Sequence, residues 1–310
     1  MARPVIAGRL LQIAVLLGLL SFASYALIGL MPGDPIDLAI AGDPRLGPED
    51  ATRLRALHGI DRPLLARYGA WAMGVLRGDF GYSRLFAVPA AQVLWPALGS
   101  TLVLLGCALA IAAAGGVALG VLAAARPRNA PWVDAVAILG QAMPSFWLAI
   151  LLIILFAVTL GWLPAGGAAD DGLGLRFLVL PVATLAVANI AAYARHTAAA
   201  MRLALAEPWV RTARAKGASG PRVLWRHVFP NAAVPVLTIA ALDAGALVSG
   251  AVVTETVFAR PGMGKLIYDA IMGNDYNLAL LALLLVALVT MLATLAADLA
   301  QRAIDPRISA

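Results

Sequence analysis

Cysteine is almost missing from this chain. Cys107 stands alone among 310 residues, which excludes any intrachain disulfide and leaves the redox compartment open. It lies in an apolar run and reads as a small buried hydrophobe. Histidine is nearly as scarce. His58, His196 and His227 are scattered, no HExxH occurs, and three such positions do not readily converge on one metal. No Ser-His pair for proteolysis within a membrane is visible either. Gly262-Met-Gly-Lys265 has the look of a phosphate loop. However, Ala259 stands where the first Gly must be and Leu266 follows the Lys, so the stretch reads as a plain turn. Charge is the largest deficit: Asp, Glu, Lys and Arg make up 13% of the residues, against about 25% in an ordinary soluble domain. With 62% hydrophobic residues and a mean hydropathy of +0.87, a water-soluble enzyme is excluded, since that fold has no way to hide so much apolar surface. The net charge of +6 comes without an aromatic-interleaved basic patch, so it points to membrane topology and not to nucleic acid.

What is present is length in the apolar runs. A membrane-crossing helix needs about 20 mostly apolar residues. Six stretches qualify, at roughly 10–30, 98–124, 133–160, 177–195, 234–257 and 277–299. The first has the basic start of a signal peptide, and Ala23-Ser-Tyr-Ala26 is a weak cleavage match. Its apolar run continues to Leu30, too far for a signal-peptide core, and reads as a retained span. The expected fold is therefore an all-α polytopic membrane protein with six transmembrane helices.

Six spans put both termini on one side. That side holds Arg3, Arg9, Arg126, Arg128, Arg302, Arg307 and the cluster Arg195, Arg202, Arg211, Arg214, Lys216, Arg222 and Arg226; the opposite short loops hold only Arg176, Arg260 and Lys265. The positive-inside rule assigns both termini and the 4–5 loop to the cytoplasm. The expected organisation is an N-terminal span plus external segment (1–97), a core transmembrane domain (98–304) containing the cytoplasmic loop 196–233, and a cytoplasmic tail (305–310). No repeat of fixed period stands out. In the external segment Pro48-Glu-Asp50 reads as a helix start, with Leu54, Leu57 and His58 at helical spacing. Leu64, Leu65, Tyr68, Trp71 and Met73 predict a second amphipathic helix near the membrane surface.

The cytoplasmic loop carries the densest positive charge. Glu207-Pro208 is a helix start, because proline is favoured at the first helical position and an acid there suits the dipole. Gly217 is a natural stop. A short helix is expected over about 208–216. Ser219-Gly-Pro221 restarts the chain, and a second helix over about 221–229 is expected to end near Pro230-Asn231. On the first helix Val210, Ala213 and Gly217 share one face, where small residues let another surface approach, with Arg211 and Arg214 flanking it. Topology alone would need the charge, but not a capped helix.

Within the spans, polar residues are the candidates for a pathway or gate, because charge in lipid is costly. Asp243 either lines a passage for a peptide amine or other cation, or makes a packed helix–helix contact. Glu255 sits near the outer end of span five. Asn189, Ser249 and Gln141 are further polar groups for the pathway, each better suited to packing between helices.

Several stretches together resemble a known family. Tyr193-Ala-Arg195, Glu207-Pro-Trp-Val-Arg-Thr-Ala-Arg-Ala-Lys-Gly217, Arg222-Val and Pro230-Asn231 are similar to the loop of ABC importer permeases of the dipeptide/oligopeptide (nickel) class. Arg211-Thr212-Ala213 stands at that family's EAA, Gly217 at its Gly, and His227-Val-Phe-Pro230 at its I-x-L-P. The Glu, first Ala, Ile and Leu are replaced. Met31-Pro-Gly-Asp-Pro35, Arg77-Gly-Asp-Phe-Gly-Tyr-Ser83, Thr254-Glu-Thr-Val-Phe258, Pro261-Gly-Met-Gly264 and Asp305-Pro-Arg307 follow in the family's order.

The resemblance implies an importer-type ABC transmembrane domain in a bacterial inner membrane, with no cofactor and no catalytic or metal residues of its own. Val210, Arg211, Thr212, Ala213, Arg214, Lys216 and Gly217 would form a coupling helix docked on one of two separate ATP-binding cassette subunits, which use the ATP. A second, homologous permease would complete the pore, and an extracytoplasmic binding protein would deliver the solute. Members of the class carry dipeptides, longer peptides, glutathione, nickel chelates and some sugars. Two other functions stay open on the residues themselves: an ion-coupled secondary transporter, and an intramembrane enzyme.

Overall fold

A backbone surrounded by hydrocarbon must satisfy its own hydrogen bonds, and this chain does so almost entirely as helix. The computed structural model describes residues 2–29, 63–126, 128, 130–168, 174–233, 236, 239 and 251–304. Asp243, Ser249, the helix expected after Pro48, most of span five and the tail 305–310 lie outside them. Among the described residues, four helices are long and apolar enough to cross a membrane, or five if one bent pair counts as a span. The chain divides into two compact units, Met1–Pro96 with Leu266–Leu288, and Ala97–Lys265 with Val289–Ala310.

In the first unit, α1 (Ala2–Gly29) is packed by α2 (Leu64–Leu76). The contact is aromatic: the Tyr68 ring meets Phe22 at 5.2 Å and Tyr25 at 5.6 Å, and the Tyr68 and Ser21 hydroxyls lie 2.7 Å apart. Tyr68 and Trp71, one helical turn apart, both turn inward, while Leu65 and Leu76 stay exposed. Gly78, at φ +86°, ends the helix by accepting a left-handed backbone that side chains resist. The expectation of an all-α chain needs one correction. A small antiparallel hairpin pairs β1 (Tyr82–Ser83) with β2 (Val88–Pro89). Strands this short do not hold by themselves. Asp275 anchors them: its buried carboxylate accepts hydrogen bonds from the Ser83 hydroxyl (2.6 Å) and the Leu85 N–H (3.1 Å). It also caps the start of the last long helix by accepting the Leu278 N–H.

The second unit is built on α6 (Leu175–Ala206), the most buried of the candidate spans. Against it pack α3 (Ala90–Ala125), α4 (Ala130–Ala142) and α5 (Ser145–Leu152), which runs on as a π-helix over Ile153–Thr159. Gly116 and Gly120, one turn apart on α3, bring its backbone onto α6. A Cβ at either would overlap Tyr193 or Thr197. Without a hydrophobic force between helices in lipid, such small residues are what permit close packing. Gly140 on α4 serves the same way against Ala191 and Val187.

Two expectations fail here. The stretch 133–160 is not one straight span, since α4 and α5 meet at 100°. Pro144, with ψ 135°, has no N–H to continue the ladder, and it pushes the residue before it out of helical geometry. Cys107, expected to be buried, is exposed on α3; a face of a membrane helix turned to its surroundings is as apolar as a core, so composition does not separate them.

After α6 come α7 (Pro208–Ala215) and α8 (Gly220–Arg222). The chain then runs as a π-helix over Val223–Val228 and stays helical through residue 233. The second loop helix therefore does not end at Pro230-Asn231. The wider π turn just before Pro230 accommodates a residue that lacks the N–H and would crowd the preceding turn. The Asn231 amide donates to the His227 carbonyl (2.7 Å). The remaining helices are residues 251–257, α9 (Met263–Met272) and α10 (Tyr276–Ile304).

Candidate functional site

The basic loop 196–233 is the first candidate. Helix α7 starts at Pro208 and stops at Gly217, whose φ of +82° is the left-handed cap read from the sequence. The stop is a double one: the Ala218 N–H donates to the Ala213 carbonyl (3.1 Å) and the Gly217 N–H to the Arg214 carbonyl (2.9 Å). Val210 is 1% exposed, packed among Val121, Met201, Val223 and Val228, with Ala213 against the same cluster. The face expected to meet another surface is thus partly turned inward. Val210 anchors the helix to its own chain, while Arg211, Thr212, Arg214, Lys216 and Gly217 are exposed. Thr212 uses its hydroxyl on the Pro208 carbonyl (3.3 Å). The sequence gives no way to choose between the two faces, because Val and Ala suit either. Trp225, exposed beside Arg222 and Arg226, meets Phe229 in a tilted ring contact at 5.4 Å and adds an aromatic edge that sequence reasoning missed.

The second candidate surrounds Glu255. Its side chain is fully buried. Oε1 accepts the Thr101 hydroxyl (2.6 Å), and Oε2 accepts the N–H groups of Gly264 (2.7 Å) and Lys265 (3.3 Å). The Thr101 oxygen in turn accepts the Met263 N–H (2.8 Å). The first three N–H groups of α9, which no helix satisfies internally, are capped by side chains from two other elements. Glycine is required at 262, where a Cβ would overlap the Glu255 carboxylate, and at 264, where it would meet the Val252 backbone. Arg260 lies in the loop just beyond. Burial pushes its guanidinium below the usual arginine range, and the Glu255 charge pulls it back up. Thr101 and the two glycines were legible only as parts of an apolar run and of a turn.

The other residues are not brought together. Asn189 is half-buried and donates to the Leu185 carbonyl of its own helix (2.8 Å). Gln141 accepts from Arg195 (2.9 Å) at an exposed position. No group of three His, Cys, Asp or Glu side chains that could hold a metal occurs among the described residues.

Apolar helices long enough to cross a membrane, together with a short basic loop helix, define a multi-pass membrane component. Comparison with known proteins makes this specific. Residues 116–310 match the family of binding-protein-dependent transport system inner membrane components, and the chain belongs to that family. It is 33% identical to the oligopeptide transport system permease protein AppB of Bacillus subtilis (strain 168), over 99% of both chains. It is 36% identical to the di/tripeptide transport system permease protein DppB of Pseudomonas aeruginosa (strain UCBPP-PA14), over 92% of both. Among solved structures, a chain of the inward-facing MetNI methionine ABC transporter superposes with a TM-score of 0.59, at 21% identity, over 70% of this chain and 98% of that one. The fold is therefore that of importer-type ABC permeases, and the chain is a transport component.

Proposed function

We propose that this chain is the permease subunit of an ATP-driven importer for di- or oligopeptides. It spans the inner membrane six times with both termini in the cytoplasm. Together with a second, homologous permease it forms the passage. Two ATP-binding cassette subunits hydrolyse the ATP, and an extracytoplasmic binding protein delivers the solute. The peptide class rests on likeness to the two relatives along nearly the whole chain.

The observation that carries the mechanism is helix α7. It starts on Pro208, is closed by the Gly217 stop, pinned from behind by Val210 and exposed along Arg211, Thr212, Arg214 and Lys216. A short helix tied to α3 and α6 by a buried cluster transmits a push from outside to the spans, because a packed apolar contact moves as a unit. The exposed cations complement an acidic groove on an ATPase partner and orient the approach. Asp243 and Ser249 remain candidates for the pathway wall.

Charge reversal tests the docking. Arg211→Glu with Arg214→Glu should leave the chain in the membrane at normal level and abolish its co-purification with the ATPase subunits. Undiminished co-purification and uptake would remove α7 from the interface.

A further inference from the structure

The arrangement around Glu255 carries more than a cap. We infer that Thr101 and Glu255 form a bolt that stays closed throughout the transport cycle, holding part of α3, the end of the 251–257 helix and the start of α9 as one moving body. The inference rests on the importer reading above, since it concerns which parts of the permease move.

Three observations converge. The hydrogen bonds form a closed set: Met263 N–H to Thr101, Thr101 hydroxyl to Glu255, and Gly264 and Lys265 N–H to the same carboxylate. Most of the partners are shut off from solvent, with Glu255 at 0%, Met263 at 1% and Thr101 at 4% exposure and Gly264 buried, while Lys265 is half-buried. Separating them would strand a carboxylate and the Met263 and Gly264 N–H donors in a dry place at every turnover, which is costly. The pieces are also interlocked in shape. Glycine at 262 and 264 lets α9 start in direct contact with Glu255 and Val252, leaving no gap in which it can slide. One residue beyond the helix, the Phe258 carbonyl accepts the Gly167 N–H at 2.7 Å, and a Cβ at Gly166 would overlap that same carbonyl. The loop 160–168 is docked on the same body. Such a cluster behaves as one rigid piece, and any opening has to occur around it.

This assigns Glu255 a positioning role in place of a place in the pathway wall. A residue that touches the solute changes the concentration at which transport saturates; a bolt changes the rate. Glutamine keeps an acceptor for Gly264 and Lys265, whereas alanine keeps none.

The test uses the complete, unsubstituted importer in proteoliposomes and follows amide hydrogen exchange over residues 263–265 with and without nucleotide–vanadate trapping. A permanent bolt gives the same slow exchange in both states. Exchange that accelerates on trapping, or fast exchange at rest, would overturn the inference. In parallel, with uptake read as radiolabelled trialanine, Glu255→Ala should lower the maximal rate with an unchanged half-saturating peptide concentration, and Glu255→Gln should restore much of the rate. A rise in the half-saturating concentration instead would return Glu255 to the pathway. If the unsubstituted importer takes up no trialanine, the peptide reading fails, and the exchange rates still decide the bolt.

Discussion

Gly217 holds a φ of +82°, with nothing within 4 Å of where a Cβ would be. Space is therefore not the constraint at this position; backbone handedness is. A β-branched residue there costs about 1–2 kcal/mol in the left-handed region. Gly217→Val should unwind the end of α7 and lower ATP-coupled uptake, while the amount of chain in the membrane stays normal; equal uptake would detach the helix stop from coupling. At Gly120 the constraint is the opposite one. Its backbone is helical, but a Cβ would overlap Thr197. Gly120→Leu should cost at least ~1–3 kcal/mol by overpacking. Thermal unfolding in detergent should show a lowered midpoint. Gly106→Ala on the same helix, with open space around it, should leave the midpoint alone. Equal midpoints for both variants would refute the close crossing of α3 and α6.

At the scale of elements, the hairpin depends on a residue about 190 positions away. Asp275→Ala removes the acceptor for Ser83, Leu85 and Leu278, each bond being worth roughly 0.5–1.5 kcal/mol. Hydrogen exchange should accelerate across residues 82–89, with α2 unaffected; unchanged exchange would show that the hairpin holds itself. This contact also explains where reading the sequence stops. Helix α7 was legible because both its ends are local: a proline at the start and a glycine at the stop. The hairpin was not, since two-residue strands leave no alternation to read and the anchoring carboxylate is remote. The bend at Pro144 was hidden by an apolar run that continues on both sides, and transmembrane helices tolerate proline often enough that one proline is no sure break. Val210 shows a further limit. Spacing puts it on a face with Ala213, and only the packing of Met201, Val223 and Val228 says which way that face points.

For the whole molecule, we propose that chemistry is delegated to partner subunits. The family places the chain in a transport system, and its described residues gather no metal cluster. Among the described residues, the buried carboxylates Glu255 and Asp275 are both spent on holding helix starts in place. In the proposed reading, α7 serves as a mechanical handle and the Thr101–Glu255 cluster as a rigid node. The account therefore requires that work enter through other subunits. Uptake of a labelled dipeptide into proteoliposomes, with ATP supplied on the cytoplasmic face, tests this most directly. The chain alone should give neither uptake nor ATP hydrolysis. Addition of the second permease, the two ATPases and the binding protein should give both. Uptake by the lone chain, driven by an ion gradient and indifferent to ATP, would contradict the account.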